Sequence, residues 1–250
     1  MSNMPDADLW VVDQPTSKGE LLRITDLHAF YGESHILHGI DLIVKRGEVV
    51  TLLGRNGSGR TTTLKAIMGL VGKRSGSVMV NGREVINCAT HKIARLGIDY
   101  CPEERGIFSS LSVEENLMLP PRIRSGGMSV EDIYEMFPNL YERRKSIGTR
   151  LSGGEQQMLA LGRILRTGAN LLLLDEITEG LAPVIVQALG RAIRQLRDSG
   201  YTIVLVEQNF RFAAPLANRH YVMDHGHIAE MIESADLEAN IDKINSYLSV

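Results

Sequence analysis

Val49-Val50-Thr51-Leu52-Leu53-Gly54-Arg55-Asn56-Gly57-Ser58-Gly59-Arg60-Thr61-Thr62 is a short apolar run that passes straight into a glycine-rich loop. Beyond it, Leu64, Ile67 and Met68 have helical spacing. The apolar run predicts a buried strand, so the stretch reads strand, loop, helix. The loop nearly fits the phosphate-binding pattern G-x-x-x-x-G-K-[ST] over Gly54–Thr61. Glycines let successive backbone N–H groups curl around phosphate oxygens, and the helix start adds a dipole that favours an anion. The predicted contacts are Gly54, Arg55, Asn56, Gly57, Ser58, Gly59, Arg60, Thr61 and Thr62, with the Thr61 hydroxyl directed at Mg2+. On these residues alone, an ordinary glycine-rich turn between strand and helix is the competing reading.

One position departs from the pattern: Arg60 stands where lysine is expected. Lysine is a compact point charge, whereas arginine carries the same charge on a wider planar head. Two outcomes are open. Either the fork displaces the terminal phosphate, so that binding survives while hydrolysis falls, or Arg60 swings outward and the backbone amides do most of the holding.

Further along, Leu171-Leu172-Leu173-Leu174-Asp175-Glu176 predicts a second buried strand, ending in two carboxylates. Asp175 at its tip is suited to hold Mg2+, and Glu176 to orient and polarise an attacking water. The same residues also fit a core strand meeting solvent, but an acidic pair downstream of a phosphate loop favours the nucleotide reading. Helical periodicity over Val184–Arg197 puts Ile185, Leu189 and Ile193 on one face with Ala192 and Leu196, and Thr202–Val206 is a further strand. Strands alternating with helices imply an α/β fold with a mostly parallel sheet covered on both sides.

Before this core, from Leu21, the pattern is strand, turn, strand, with Asn81-Gly82 as a hairpin turn. Between the phosphate loop and the acidic strand the chain is more helical. Ser112 with Glu115, and Ser129 with Asp132, are capping signals. Pro120-Pro121 and Gly126-Gly127 break the chain between them. Residues 1–20 are aperiodic and predict a mobile tail, with Trp10 either docking it or loosely held.

Composition narrows the class. The 250 residues are 44% hydrophobic with a formal net charge of -3, which gives no support to bulk binding of nucleic acid or anionic lipid. Cys88 and Cys101 offer neither a disulfide framework nor zinc spacing, so a reducing cytoplasm is expected. No apolar run approaches the ~18 residues that span a bilayer. A role in transport would therefore need separate membrane-spanning partners. His220, His225 and His227 hint at metal only weakly and are expected as exposed strand and turn residues.

Leu151-Ser152-Gly153-Gly154-Glu155-Gln156 resembles the signature sequence of ABC-type ATPases. The resemblance covers the chain from Leu21 onward as one ABC ATPase domain, residues 21–250. It implies a P-loop NTPase core, an N-terminal antiparallel β subdomain and a helical signature subdomain over about 105–160. It implies ATP and Mg2+ as cofactors. Ser152, Gly153, Gly154 and Glu155 would face the ATP bound by a partner domain, so that two domains sandwich two nucleotides. Tyr31 matches the aromatic that stacks on adenine, the alternative being a half-buried strand residue. Glu103 falls at the Q-loop position, near the metal. Glu179-Gly180-Leu181-Ala182-Pro183 occupies the D-loop, and Gln208 stands where most members carry the switch histidine.

Variant spellings at Pro102–Phe108, Thr178–Pro183 and Val206–Asn209 resemble the LivF-type ATPase subunits of branched-chain amino-acid importers, which urea and amide importers partly share. The implied partners are a second ABC ATPase subunit (identical or different), two membrane permeases and, indirectly, a periplasmic solute-binding protein, with no nucleic acid. The implied place is cytoplasmic, peripheral on the inner face of the cell membrane. Ile177 departs from the proline that usually follows the catalytic glutamate, which is expected to loosen the turn carrying Glu176. Two functions follow. One is an active transport ATPase, and the other is a nucleotide clamp that donates its intact signature to a partner site. A soluble ABC protein acting on DNA or ribosomes ranks below both.

Overall fold

The computed structural model describes residues 19–248. The expectation for the tail over 1–20, Trp10 included, therefore lies outside the described residues except at its end, where Glu20 already opens a strand. That strand, β1 (Glu20–Tyr31), pairs antiparallel with β2 (Ser34–Lys45). β3 (Val49–Leu53) follows, then α1 (Arg60–Ile67), β4 (Lys73–Val80) and the short β5 (Arg83–Glu84). Asn81 and Gly82 join β4 to β5 with φ of 52° and 74°, the left-handed pair that a two-residue hairpin requires. These outer strands form a four-stranded antiparallel sheet in the order β2-β1-β4-β5.

Next come α2 (Thr90–Ala94), β6 (Ile98–Cys101), α3 (Val113–Met118), α4 (Val130–Met136), α5 (Pro138–Glu142) and α6 (Gly153–Arg166). Ser112, Ser129 and Ser152 open α3, α4 and α6 with complete capping boxes, each closed by the acidic residue three positions on. The chain returns through β7 (Leu171–Asp175), α7 (Pro183–Asp198), β8 (Thr202–Val206), α8 (Phe210–Ala213), β9 (Arg219–Asp224), β10 (His227–Glu233) and α9 (Ile241–Leu248). The second sheet has the order β10-β9-β3-β8-β7-β6, parallel throughout except for the β9–β10 pair.

The middle strands β3, β7 and β8 are buried at every residue, because both faces of the sheet are covered. Alternation sends Leu172, Leu174, Ile203 and Leu205 into a core shared with the helices. Their neighbours Leu171, Leu173, Val204 and Val206 pack with the antiparallel sheet and α1. The loop 54–59 is thus launched from a strand clamped on both sides, at the carboxyl end of a parallel sheet, where α/β proteins bind ligands.

Two expectations need correction. His220 is not an exposed strand residue. It is fully buried on β9 opposite Thr51, its Nδ1 lies 2.8 Å from the Thr51 hydroxyl, and burial pushes its pKa down to about 4. His225 and His227 are exposed, as expected. Ile177 does not loosen its turn, because its side chain is 1% exposed within the helical-side core. The Glu176 N–H also donates to Val206 O at 2.9 Å.

Candidate nucleotide site

A cavity of about 410 Å3 opens over the glycine loop, lined by Tyr31, Asn56, Arg60, Thr61, Glu103 and Glu176 among others. Its floor is backbone. Gly54, Gly57 and Gly59 have φ of 156°, 80° and 103°. A Cβ on Gly54 would lie 2.4 Å from Met223 O, and one on Gly59 would lie 2.7 Å from Leu37 Cδ2. Gly54 and Gly59 are therefore required by space as well as by backbone conformation, and Gly57 by backbone conformation alone. Because α1 begins at Arg60, the amides of Arg60, Thr61 and Thr62 have no intrahelical acceptor and present an anion-binding end. Two polar atoms buried here lack hydrogen-bond partners: Ser58 Oγ and Arg60 Nη1. A cradle of open amides with an orphaned guanidinium N–H fits a polyphosphate.

Tertiary folding brings the acidic strand to this loop from more than a hundred residues away. The Thr61 hydroxyl donates to Asp175 Oδ1 at 3.0 Å. The Tyr100 hydroxyl donates to Asp175 Oδ2 at 2.7 Å. Burial raises the Asp175 pKa, while these two hydrogen bonds oppose the shift. Asp175 and Thr61 are hard oxygen donors at the loop's end, the chemistry that suits Mg2+.

Arg60 lies inward, not outward. Its side chain is 4% exposed, and Nη2 donates to Asn56 Oδ1 at 3.0 Å and to Glu176 Oε1 at 2.7 Å. Glu176 itself holds a φ of 46°, an unusual conformation for a residue with a side chain. Its carboxyl is pushed up to about 7, mainly by burial; Arg60 pulls it down and Glu179 pushes it further up. Glu103 is also raised, by burial and then by Glu179. Carboxylate oxygens of Glu103, Glu176 and Glu179 come within 4.8 Å of one another, and all three residues line the cavity. Tyr31, 47% exposed at the end of β1, lines the same cavity.

Other predicted residues stand apart. Arg55 turns away and donates from Nε to Tyr247 O on α9 at 3.1 Å. Gln208 is exposed and does not line the cavity. Ser152, Gly153, Gly154 and Glu155 form the start of α6, likewise outside it. There the Glu155 carboxylate accepts from Ser152 N at 2.7 Å, while Ser152 Oγ accepts from Glu155 N at 3.3 Å and keeps its own proton free to donate. Sequence reading missed Tyr100 and assigned no role to Glu179 in this cavity. Glu179, three residues past Glu176, carried a local signal; Tyr100 on β6 carried none.

A mostly parallel six-stranded core with a glycine-loop cradle, an acidic strand tip and a capped glycine-rich helix start defines a nucleotide-binding cassette. The sequence pattern of the ABC transporter family matches residues 37–179, and the chain belongs to that family of ATPases. It is 40% identical over 231 residues to the high-affinity branched-chain amino acid transport ATP-binding protein BraG of Pseudomonas aeruginosa, covering 91% of this chain and 99% of that protein. It is 37% identical to the probable branched-chain amino acid transport ATP-binding protein LivF of Archaeoglobus fulgidus, covering 84% and 90%. The lipopolysaccharide export system ATP-binding protein LptB of Escherichia coli is 34% identical, with 83% and 88% covered. Among solved structures, an ATP-binding subunit of an ABC transporter superposes with a TM-score of 0.76 at 25% identity, covering 92% of this chain and all of that one. Among the described residues, no helix is long and apolar enough to cross a membrane.

Proposed function

We propose that the chain is the ATP-hydrolysing subunit of an importer for branched-chain amino acids, and that its own site turns over slowly. The observation that carries this is the convergence of loop and strand: Thr61 on Asp175, and Arg60 on Glu176. The two relatives named for branched-chain amino-acid transport support the solute.

In this reading, the amides of Asn56 to Thr62 and the Arg60 charge hold the β- and γ-phosphates, and Tyr31 stacks on the base. Mg2+, when bound, would neutralise charge on the transferring phosphoryl group. Thr61 and Asp175 are the residues to hold it, with Glu103 at the cavity wall. Glu176, once released from Arg60, accepts a proton from the attacking water through its carboxylate. The start of α6, with Ser152 and Gly153, meets the ATP of a second cassette. Helices α3 to α5 and the first half of α6 make up the helical signature subdomain, over about 105–160.

Permease docking is supported by an apolar groove of about 590 Å3 beside Pro102, where Leu70, Phe108 and Leu119 are each nearly half exposed. This would place the chain on the inner face of the membrane through its partners. The Arg60–Glu176 pair also gives weight to the clamp reading, because a guanidinium that holds the catalytic carboxylate slows this site without weakening nucleotide binding.

The test is uptake of radiolabelled leucine, isoleucine and valine by cells that depend on this chain. Glu176→Gln should abolish uptake if this site drives transport, and reduce it only in part if the chain is mainly a clamp. Intact amino-acid uptake in cells lacking the chain, alongside lost urea or amide uptake, would overturn the assigned solute.

A further inference from the structure

A second and larger cavity, of about 930 Å3, lies at the other end of the six-stranded sheet. It is lined by Arg46, just before β3, Leu96, just before β6, and Asn170, immediately before β7. These are the amino ends of parallel strands, whereas the glycine loop leaves the carboxyl end of β3. A ligand here would not overlap the nucleotide.

The lining is strongly one-signed. Arg46, Arg83, Arg95, Arg122 and Arg124 all line the cavity, and among the described residues none that lines it carries a carboxylate. The chain as a whole has a net charge of -3, so this is a local concentration rather than a general bias. Arg46 donates to Asn81 Oδ1 at 2.6 Å and Arg124 to Leu96 O at 3.0 Å, both neutral acceptors. Among the described residues, Arg46, Arg95, Arg122 and Arg124 form no ion pair. Gathered guanidinium groups repel one another, and a bound anion relieves that repulsion.

Two further observations narrow the anion. Part of the lining is apolar, supplied by Leu96, Pro121 and Ile123. Asn170 lines the same cavity, and its side-chain oxygen has no hydrogen-bond partner, an acceptor left for a ligand hydroxyl once the amide turns toward the cavity. We infer that this cavity binds a phosphate ester of a small polyol, with the phosphate held by the arginine forks. The same chemistry is found in a glycerol-bearing anionic lipid headgroup and in soluble glycerol phosphate. The bound ester would also brace the fold. Arg46, Arg83 and Arg95 sit on the core, whereas Arg122 and Arg124 belong to the segment after α3, which is pinned to the end of α6 by Ile123 N donating to Thr167 O at 2.8 Å. The inference does not depend on the solute or turnover assigned above.

The experiment uses the purified full chain with its nucleotide site filled by Mg2+–ADP. One arm measures sedimentation with phosphatidylglycerol vesicles against phosphatidylcholine vesicles. The other measures binding of glycerol 3-phosphate by calorimetry. The variant is Arg95→Glu/Arg122→Glu, at two exposed positions with no role in nucleotide binding. The control is Arg191→Glu/Arg211→Glu, exposed arginines elsewhere with the same change of charge. Binding in at least one arm should fall about tenfold or more in the variant and remain in the control, with ADP affinity unchanged. Selectivity for phosphatidylglycerol assigns the lipid source. Glycerol 3-phosphate binding without vesicle selectivity assigns the soluble one. Absence of binding in both arms, or equal loss in the control, overturns the inference.

Discussion

Arg60 changes what Glu176 is free to do. Both side chains are nearly buried, 4% and 10% exposed, and a bond of 2.7 Å joins them. Breaking such a pair leaves an uncompensated charge, so in the proposed cycle the arrangement holds until a phosphate offers Arg60 a better partner. Burial meanwhile pushes the Glu176 carboxyl up to about 7. In the proposed role its water-activating form is the carboxylate, which is depleted as pH falls. We expect kcat/KM for ATP to decline as pH drops through about 7, approaching tenfold per unit below it, because kcat/KM reports the free enzyme. Glu176→Gln should remove both the activity and this limb of the profile. A pH–rate profile from 5.5 to 8.5 checks it, and a flat profile would mean that Glu176 is not the titrating base. At this scale the sequence was informative where the chemistry is contiguous: Gly54–Thr62 and Asp175-Glu176 are each a single stretch. It did not reveal that Arg60 reaches Glu176 across 116 positions, or that Tyr100 buttresses Asp175 across 75. Those contacts depend on which strands become neighbours, and no local spacing records that.

The elements carry information of a different kind. Capping boxes, a left-handed hairpin turn and five-residue apolar strands are local physics, so the amino-acid order alone marks their positions. His220 shows the limit. A polar residue in a strand looks exposed by default, yet β9 lies inside the sheet between β3 and β10, and Thr51 on the next strand supplies the hydrogen bond that makes burial tolerable. Helix α6 gives the sharpest functional prediction at this scale. The atoms nearest a Cβ on Gly153 belong to the Arg105 guanidinium, the first at 3.2 Å, so an acidic side chain can be accommodated there without unfolding the helix. Gly153→Asp would nevertheless place a carboxylate where a partner's polyphosphate is proposed to lie, and like charges repel. Transport should be lost while this chain's own affinity for a fluorescent ATP analogue stays within about twofold. A parallel loss of own-site affinity would contradict the sandwich arrangement.

For the whole molecule, the two sheets and the helices put the proposed nucleotide-handling groups of the glycine loop and the acidic strand at one end of the core. The quantity left to measure is how fast that set turns over with arginine in the loop. Hydrolysis depends on electrostatic stabilisation aimed at the transferring phosphoryl group. A displacement of about 1 Å can cost on the order of 100-fold in rate. Lysine at position 60 would keep the charge, shrink the head and free Glu176 from a bidentate-capable partner. The direct measurement is ATP turnover in the assembled transporter, with the companion ATPase's catalytic glutamate replaced so that only this chain's site is active. Arg60→Lys should raise that rate at least tenfold, a barrier change of about 1.4 kcal/mol, while ATP affinity changes far less. A rate that is unchanged or lower would show that arginine is a competent substitute and that its pairing with Glu176 does not restrain hydrolysis.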